Sequence, residues 1–350
     1  MKKLLSIAFF LIILCLSVIA ESATGQGPVR RDVLVSSDWL EAHINHPSVI
    51  IVHVEETTDP WDNYTADHIP GAHFVATERL GVTRAGVDGM LPPVDDLIEL
   101  GRELGIKDDT KKIVMYGPTN PGGPARLFQA FDYLGLGDRI ALLDGHYSRW
   151  KSEGRPTTSV VPTPVYSDFL ARPNPRTLTA RSRVGDLMST LALRRITDPL
   201  LDSNGFVLFD SRVDQQYEAG HIPGAVQGNP LLDFEGFGKD GDGGANPLTR
   251  WLLRPTHEIV ERYRGLGLER RELAITSCRT GIAGSLLYFV LKYVGFDVTL
   301  YDGSFNEWST AMIEDQEELA IWESAYPGYD GGAEGMLPIV TGSDRWMPVM

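Results

Sequence analysis

Cysteine is scarce in this chain: two residues in 350, Cys15 and Cys278. That excludes a disulfide-dense scaffold and a paired-cysteine metal framework. Positive charge is also short. Lys and Arg number 32 against 47 Asp and Glu, a formal net charge of −15. No broad basic surface is available to neutralise phosphate, so a nucleic-acid partner is excluded. A small anionic ligand is not, because it needs only a local group of cations. What the chain does have is length for two ordinary domains. Its 43% hydrophobic content and 7 Trp suffice for buried cores and argue against wholesale disorder.

Residues 1–20 stand apart from the rest. Lys2 and Lys3 precede an apolar run from Leu4 to Ala20, interrupted by Ser6 and Ser17, and Glu21 opens polar sequence. The pattern predicts a signal peptide and an exported, periplasmic protein. The alternative is an uncleaved membrane anchor, for which the run is near the lower length limit. A lipoprotein reading of Cys15 is disfavoured, since Leu14 stands where a small residue is wanted. Cleavage would remove Cys15 and leave Cys278 as the one thiol, with no internal disulfide open to it. A lone cysteine is ordinarily a buried, inert residue. The surroundings of Cys278 argue otherwise.

The chain repeats itself. His68-Ile69-Pro70-Gly71-Ala72 recurs as His221-Ile222-Pro223-Gly224-Ala225. Each copy follows an apolar strand-like run, Val49 to Val52 or Phe206 to Phe209. Each precedes a helix-like stretch ending in Leu-Gly, at Leu104-Gly105 and Leu266-Gly267. A second strand follows, Lys112 to Tyr116 or Leu273 to Ser277, then a loop and an apolar helix, Arg126 to Leu134 or Ser285 to Val294. Both copies close on a strand, Asp-Gly and Trp: Asp144-Gly145 with Trp150, and Asp302-Gly303 with Trp308. Landmarks in one order, about 150 to 160 residues apart, mark a duplicated unit.

Strands alternating with helices predict, in each unit, an α/β fold: a parallel sheet with helices on both faces. The predicted organisation is a first domain at 30–155, a linker at 156–176, a second domain at 177–312 and a C-terminal tail at 313–350. The linker is drawn from Pro156, Pro162, Pro164, Pro173 and Pro175. The tail holds Glu314, Asp315, Glu317 and Glu318, then Tyr326, Tyr329 and Trp346, aromatics that suggest packing on the domains.

The chemistry is expected in the second unit. Strand Leu273 to Ser277 runs into Cys278-Arg279-Thr280-Gly281-Ile282-Ala283-Gly284-Ser285 and then a helix. That places Cys278 at the carboxyl edge of the sheet, where open α/β sheets bind ligands. Loop N–H groups and a helix N-terminus favour an anion there, and hence a thiolate. An ordinary thiol is only about 3% ionised at pH 7, and a depression of about two units would make it mostly thiolate. Arg279 adds a positive charge, and Gly281 and Gly284 are expected to let the backbone curl.

With Asp210-Ser211-Arg212, Glu218, the His221 motif, Cys278-Arg279-Thr280-Gly281, and Asp302-Gly303-Ser304 with Glu307-Trp308, the sequence resembles a two-domain rhodanese over roughly residues 30 to 310. The resemblance implies two tandem rhodanese-like domains and a thiosulfate or 3-mercaptopyruvate sulfurtransferase. It implies that Cys278 is the nucleophile that becomes a persulfide. No cofactor is implied beyond that covalent intermediate. The implied partners are a small anionic sulfur donor and a thiol or cyanide acceptor, or a protein acceptor. Substrate contacts are expected from Arg279, Thr280, Gly281, Ile282, Ala283, Gly284 and Arg212. Asp210, Glu218, His221, Asp302 and Trp308 are expected to support them. Arg212 could instead serve only as a partner of Asp210 or Glu218.

The first unit departs from the pattern at Gly117-Pro118-Thr119-Asn120-Pro121-Gly122-Gly123-Pro124, which lacks cysteine and loses N–H donors to three prolines. It is expected to be inactive, and the resemblance implies that this domain packs against the second and walls the cleft. The second unit departs too. Gln216 stands where many thiosulfate enzymes of the family have Arg, and Thr280 where they often have Lys. The stretch from Arg212 to Gly220 is also too short to supply a further arginine found in mercaptopyruvate-using relatives. Arg279 directly after the cysteine resembles the thiosulfate branch, so thiosulfate is the first expectation, with weak affinity. 3-Mercaptopyruvate transfer and a non-turnover sulfur carrier are the alternatives. A Cys-x5-Arg phosphatase or arsenate reductase is disfavoured, because the sixth residue after Cys278 is Gly284. Calcium at Gly238 to Gly244 is disfavoured as well, since Trp251 stands twelve residues after Asp240 at the fixed loop ending, counted inclusively, where an EF-hand needs Glu.

Overall fold

A computed structural model describes residues 27–55, 60–118, 120–185, 187–188, 205–237, 251–269, 271–311, 320–322, 324 and 336–343. The 1–20 segment, the Gly238 to Gly244 loop, the acids from Glu314 to Glu318, and Tyr326, Tyr329 and Trp346 lie outside the described residues.

In the first half the strands are β1 (Leu34–Val35), β2 (Val49–Glu55), β3 (Ala72–Ala76), β6 (Lys112–Tyr116) and β7 (Ile140–Leu143). They form a parallel sheet in the order β1-β7-β6-β2-β3. A small antiparallel hairpin, β4 (Val82–Arg84) with β5 (Val87–Met90), stands beside it. The second half has β8 (Leu178–Thr179), β9 (Phe206–Asp210), β10 (Val226–Gln227), β11 (Leu273–Ser277) and β12 (Asp297–Tyr301). Their order, β10-β9-β11-β12-β8, is the same arrangement read from the opposite edge, and again parallel.

Apolar runs make these strands because both faces are covered. Successive residues point to opposite sides. Thus Val52 and Val54 of β2 enter one core and Ile51 the other, and Ala274 and Ile275 of β11 divide in the same way. In the first half the helices are α1 (Ser37–His43), α2 (Pro60–Ala66), α3 (Val94–Glu103), α4 (Gly122–Tyr133) and α5 (His146–Ser152). The second half has α6 (Asp214–Glu218), α7 (Thr256–Gly265), α8 (Ile282–Tyr293) and α9 (Ser304–Trp308). Leu40 of α1 and Trp150 of α5 cover one face of the first sheet, and Leu97 and Leu100 of α3 the other. On the second sheet Ile259 of α7 and Leu287 of α8 oppose Trp308 of α9.

The two halves share one core. Helices α4 and α8 lie between the sheets, with Phe128 and Phe289 edge to face at 5.2 Å. Tyr288 donates to Asp132 Oδ2 at 2.7 Å, and Lys292 pairs with the same carboxylate. The Pro-rich segment contains no helix or strand from 159 to 174 and runs along the first domain. Ser167 N–H donates to Arg102 O at 3.0 Å. Phe169 seats so closely on Gly101 that a Cβ there would come within 2.6 Å of its ring. On the far face of the second sheet Trp322 and Leu337 pack with Trp308, whose Nε1 donates to Pro338 O at 2.8 Å.

Candidate active site

Cys278 is the first residue past β11, the middle strand of the second sheet. The chain then turns sharply: Gly281 takes φ +86° and caps α8. This is the left-handed region, open to glycine without strain. The turn brings Gly281 N–H to Cys278 Sγ at 3.1 Å. The sequence led us to expect several loop amides on the thiol; among the described residues Gly281 supplies the one in contact with Sγ. Helix α8 starts at Ile282, three residues before the expected Ser285. Gly284 therefore lies inside the helix rather than in a curling loop. Its need is close packing: a Cβ there would meet Leu300 Cδ1 at 2.9 Å and the Ser277 carbonyl carbon at 3.2 Å.

The other side of the loop is fastened to α9. Cys278 N–H donates to Ser304 Oγ at 3.2 Å, and Ser304 Oγ donates to Tyr301 O at 2.9 Å. Phe305 N–H and Asn306 N–H donate to Cys278 O and Arg279 O at 3.0 and 3.1 Å. Nearby, burial pushes the Glu307 carboxyl above the usual carboxylate range.

Cys278 is 3% exposed and lies at the floor of a cavity of about 310 Å³. Arg279 and Thr280 of the loop and Ile282 and Ala283 of the first turn of α8 also line it. The remaining lining divides by chemistry. Val213, Pro230, Leu231 and Leu286 are apolar, Ser211, Gln216, Asn229, Asn120 and Gly122 are polar or backbone, and Arg212 is charged. Asn120 and Gly122 come from the first domain. The resemblance implies that the first domain walls the cleft; the sequence does not single out these two residues for it.

Arg279 is exposed at the rim and makes no ion pair among the described residues. Arg212 is held. Its Nε donates to Asp210 Oδ1 at 2.9 Å, and Nη2 to Asp210 Oδ2 at 2.6 Å and Gly220 O at 2.7 Å. The guanidinium also lies over Phe305 at 4.2 Å. Its partner is thus Asp210. Glu218 is exposed, and its carbonyl accepts from Gly342 N–H; the expected support from its side chain is not seen, because α6 turns it away from the pair. His221 stacks on Tyr217 at 3.8 Å, with Nδ1 3.0 Å from Tyr217 O. His68 does the same on Tyr64, at 4.0 and 2.6 Å. Asp302 reaches into the first domain, where it accepts from Leu91 N–H at 2.8 Å. Trp308 is fully buried beneath the sheet and away from the cavity.

The equivalent place in the first domain is Gly117, one residue past β6. Its N–H donates to His146 Nδ1 at 3.2 Å, the position Ser304 Oγ fills in the second. A Cβ at Gly117 would come 2.6 Å from Asn120 O. Burial pulls the His146 imidazole down to about 3.

A duplicated parallel α/β unit, with one thiol at a strand-to-helix turn, defines the class. The rhodanese-like domain model matches residues 36–153 and 195–311, and the chain belongs to the rhodanese family. It is 29% identical over 310 residues to the sulfur carrier protein TtuD of Thermus thermophilus, covering 82% of this chain and 96% of that protein. A Mycobacterium leprae protein, named provisionally as a thiosulfate sulfurtransferase, is 27% identical over 293 residues, covering 81% and 96%. Among solved structures, Escherichia coli SseA, described as a 3-mercaptopyruvate sulfotransferase, matches with a TM-score of 0.61 at 23% identity, covering 78% of this chain and 98% of its own. That likeness speaks to the fold.

Proposed function

We propose that this rhodanese-family sulfurtransferase uses thiosulfate as donor and carries the sulfur as a persulfide on Cys278. The observation that carries the reading is the placement of Sγ, on a cavity floor with a backbone N–H 3.1 Å away. A hydrogen bond from an amide favours the thiolate over the thiol. In the first half-reaction the thiolate attacks the outer sulfur of thiosulfate. A new S–S bond forms, the donor S–S bond breaks, and sulfite leaves with the electron pair. In the second, the carbon of cyanide or the sulfur of a thiol attacks the outer persulfide sulfur, and the Cys278 thiolate leaves. Each step exchanges one bond to sulfur for another with no net redox change at the protein, so it needs no metal or organic cofactor. Arg279, the cation at the rim, draws in the anionic donor. Arg212 is tied to Asp210, so its part is to fix the cavity wall. The acceptor is a small thiophile or a protein thiol. We place the protein outside the cytoplasm on the strength of residues 1–20.

A second reading follows from the cavity wall. Val213, Pro230, Leu231, Ile282 and Leu286 offer apolar surface that thiosulfate does not use, which favours an organic donor such as 3-mercaptopyruvate. The test is sulfite release from thiosulfate with cyanide as acceptor, wild type against Cys278→Ser. Equal rates would end the proposal. A mass gain of one sulfur on the Cys278 peptide supports it, and the same assay with 3-mercaptopyruvate separates the donors. Persulfide that forms yet is passed to neither cyanide nor thiols would mark a carrier.

A further inference from the structure

A cation is buried directly behind the Cys278 loop, and it belongs to the other domain. Arg126, in the second turn of α4, is 0% exposed. Its Nε donates to Leu80 O at 3.2 Å, and its Nη2 to Gly89 O at 2.7 Å and Asp302 Oδ1 at 2.8 Å. The second oxygen of Asp302 is occupied by Leu91 N–H. The remaining nitrogen, Nη1, is buried without a hydrogen-bond partner among the described residues. It lies against Gly281: a Cβ added there would fall 2.6 Å from Nη1. Gly281 is the residue whose N–H reaches Sγ. The hairpin presses on the neighbouring residue, since a Cβ on Gly89 would fall 2.5 Å from Thr280 Cβ. The first domain thus backs residues 280 and 281.

We propose that Arg126 is a positioning residue for Cys278, supplied by the domain that has no nucleophile. This rests on Cys278 being the sulfur-carrying residue. Two effects follow from one side chain. Its three-way anchoring to Leu80 O, Gly89 O and Asp302 holds Gly281 where its N–H meets Sγ. Asp302 compensates its charge on the Nη2 side, and Nη1 is left as the positive end of the pair toward Gly281, which favours the anion on Sγ in a medium that screens poorly. A buried N–H without an acceptor destabilises a fold; here it adds positive potential where the thiolate forms. Arg126 does not line the cavity, so it acts on the thiol and not on donor binding.

The test uses the full chain with Arg126→Gln, which removes the charge at similar reach, and Arg126→Lys, which keeps it. Two readouts are taken: the pH profile of Cys278 alkylation by iodoacetamide, and the steady-state kinetics of thiosulfate-to-cyanide transfer. For Arg126→Gln the alkylation midpoint should rise by about half a pH unit or more. Its kcat should fall about tenfold, with KM for thiosulfate within about twofold of wild type. Arg126→Lys should return the midpoint to wild type. If Arg126→Gln does not fold, the double variant Arg126→Gln with Asp302→Asn removes both charges and leaves a neutral hydrogen bond; its midpoint should also rise. A folded neutral variant with the wild-type midpoint and kcat overturns the proposal. So does Arg126→Lys shifting the midpoint as far as Arg126→Gln. A shifted alkylation profile in a protein whose wild type transfers no sulfur would refute the sulfurtransferase reading and leave the positioning role standing.

Discussion

Gly117 and Cys278 occupy one place in two copies of one fold, and the copies differ in what they turn toward it. In the second domain an N–H of the loop points at the side chain; in the first, the Asn120 carbonyl sits where a side chain would begin. The strand registers pair Asp210 with Ser277 and His53 with Tyr116, so Asp210 and His53 correspond, as do Arg212 and Glu55. Each pair is bonded two residues apart, Asp210 to Arg212 and His53 Nε2 to Glu55 Oε2 at 2.9 Å. The sign at the outer position is reversed, however: a guanidinium in one domain, a carboxyl in the other. Meanwhile the contact with the first residue of the following helix, α5 or α9, survives a change of residue, because a hydroxyl and an imidazole both accept the same N–H. Scaffolding needs only hydrogen-bonding capacity, whereas anion chemistry needs a particular sign and room for the thiol.

The sharpest way to break this comparison is to move the nucleophile. Cys278→Ser should lower sulfite release by on the order of a thousandfold or more. Adding Gly117→Cys to that variant should restore nothing, as the Asn120 carbonyl obstructs the site; recovered release would show the first loop to be competent. The paired residues come next. Arg212→Met leaves Asp210 buried without its partner and should cost about 3–5 kcal/mol in urea unfolding. Glu55→Gln keeps a hydrogen bond to His53 and should cost about 1 kcal/mol; equal losses would mean that the two pairs do the same work.

A smaller effect is set by pH. Burial holds His146 down to about 3, below its unfolded value of about 6.5. Its contribution to stability is therefore complete above pH 6.5 and is lost as pH falls toward 3. Asp144 acts in the opposite sense: burial pushes its carboxyl up to about 6, so its contribution is complete below about pH 3.9 and is lost as pH rises through 6. His146→Ser, which copies Ser304, should flatten the acid side of the melting-temperature profile between pH 6.5 and 5, and Asp144→Asn should steepen it. An unchanged profile in both would remove these groups from the acid response. Last, Thr280→Lys supplies a cation beside the cavity and should lower KM for thiosulfate by about two- to fivefold at low salt. No change would mean that donor affinity is set elsewhere.

The duplication, the parallel sheets and the position of Cys278 at a strand-to-helix turn were legible because they rest on local patterns: apolar runs, Asp-Gly turns, and one motif written twice. What escaped lies across the domain boundary. Arg126 and Asp302 are 176 residues apart, and no periodicity announces that they meet. Asn120 could not be recognised as a cavity residue without knowing that α4 packs on α8. Gly284 and Glu218 were misread for a different reason. A glycine after a cysteine suggests a turn, but here it serves a close helix-to-strand approach; and a glutamate in a familiar motif sits on a short helix that carries it outward.

Helix α8 has a consequence for how such a protein can change over evolutionary time. It begins at the reactive turn and lies along α4 as the seam between the halves. A lineage that discarded the copy without a cysteine would keep nearly every group of the reaction while stripping an oily flank bare and removing the arginine from behind the turn. Deletion would therefore cost burial on the remaining half, whatever the deleted half does. The copy without a cysteine is tied to its twin by burial, and losing either would uncover the seam of the other.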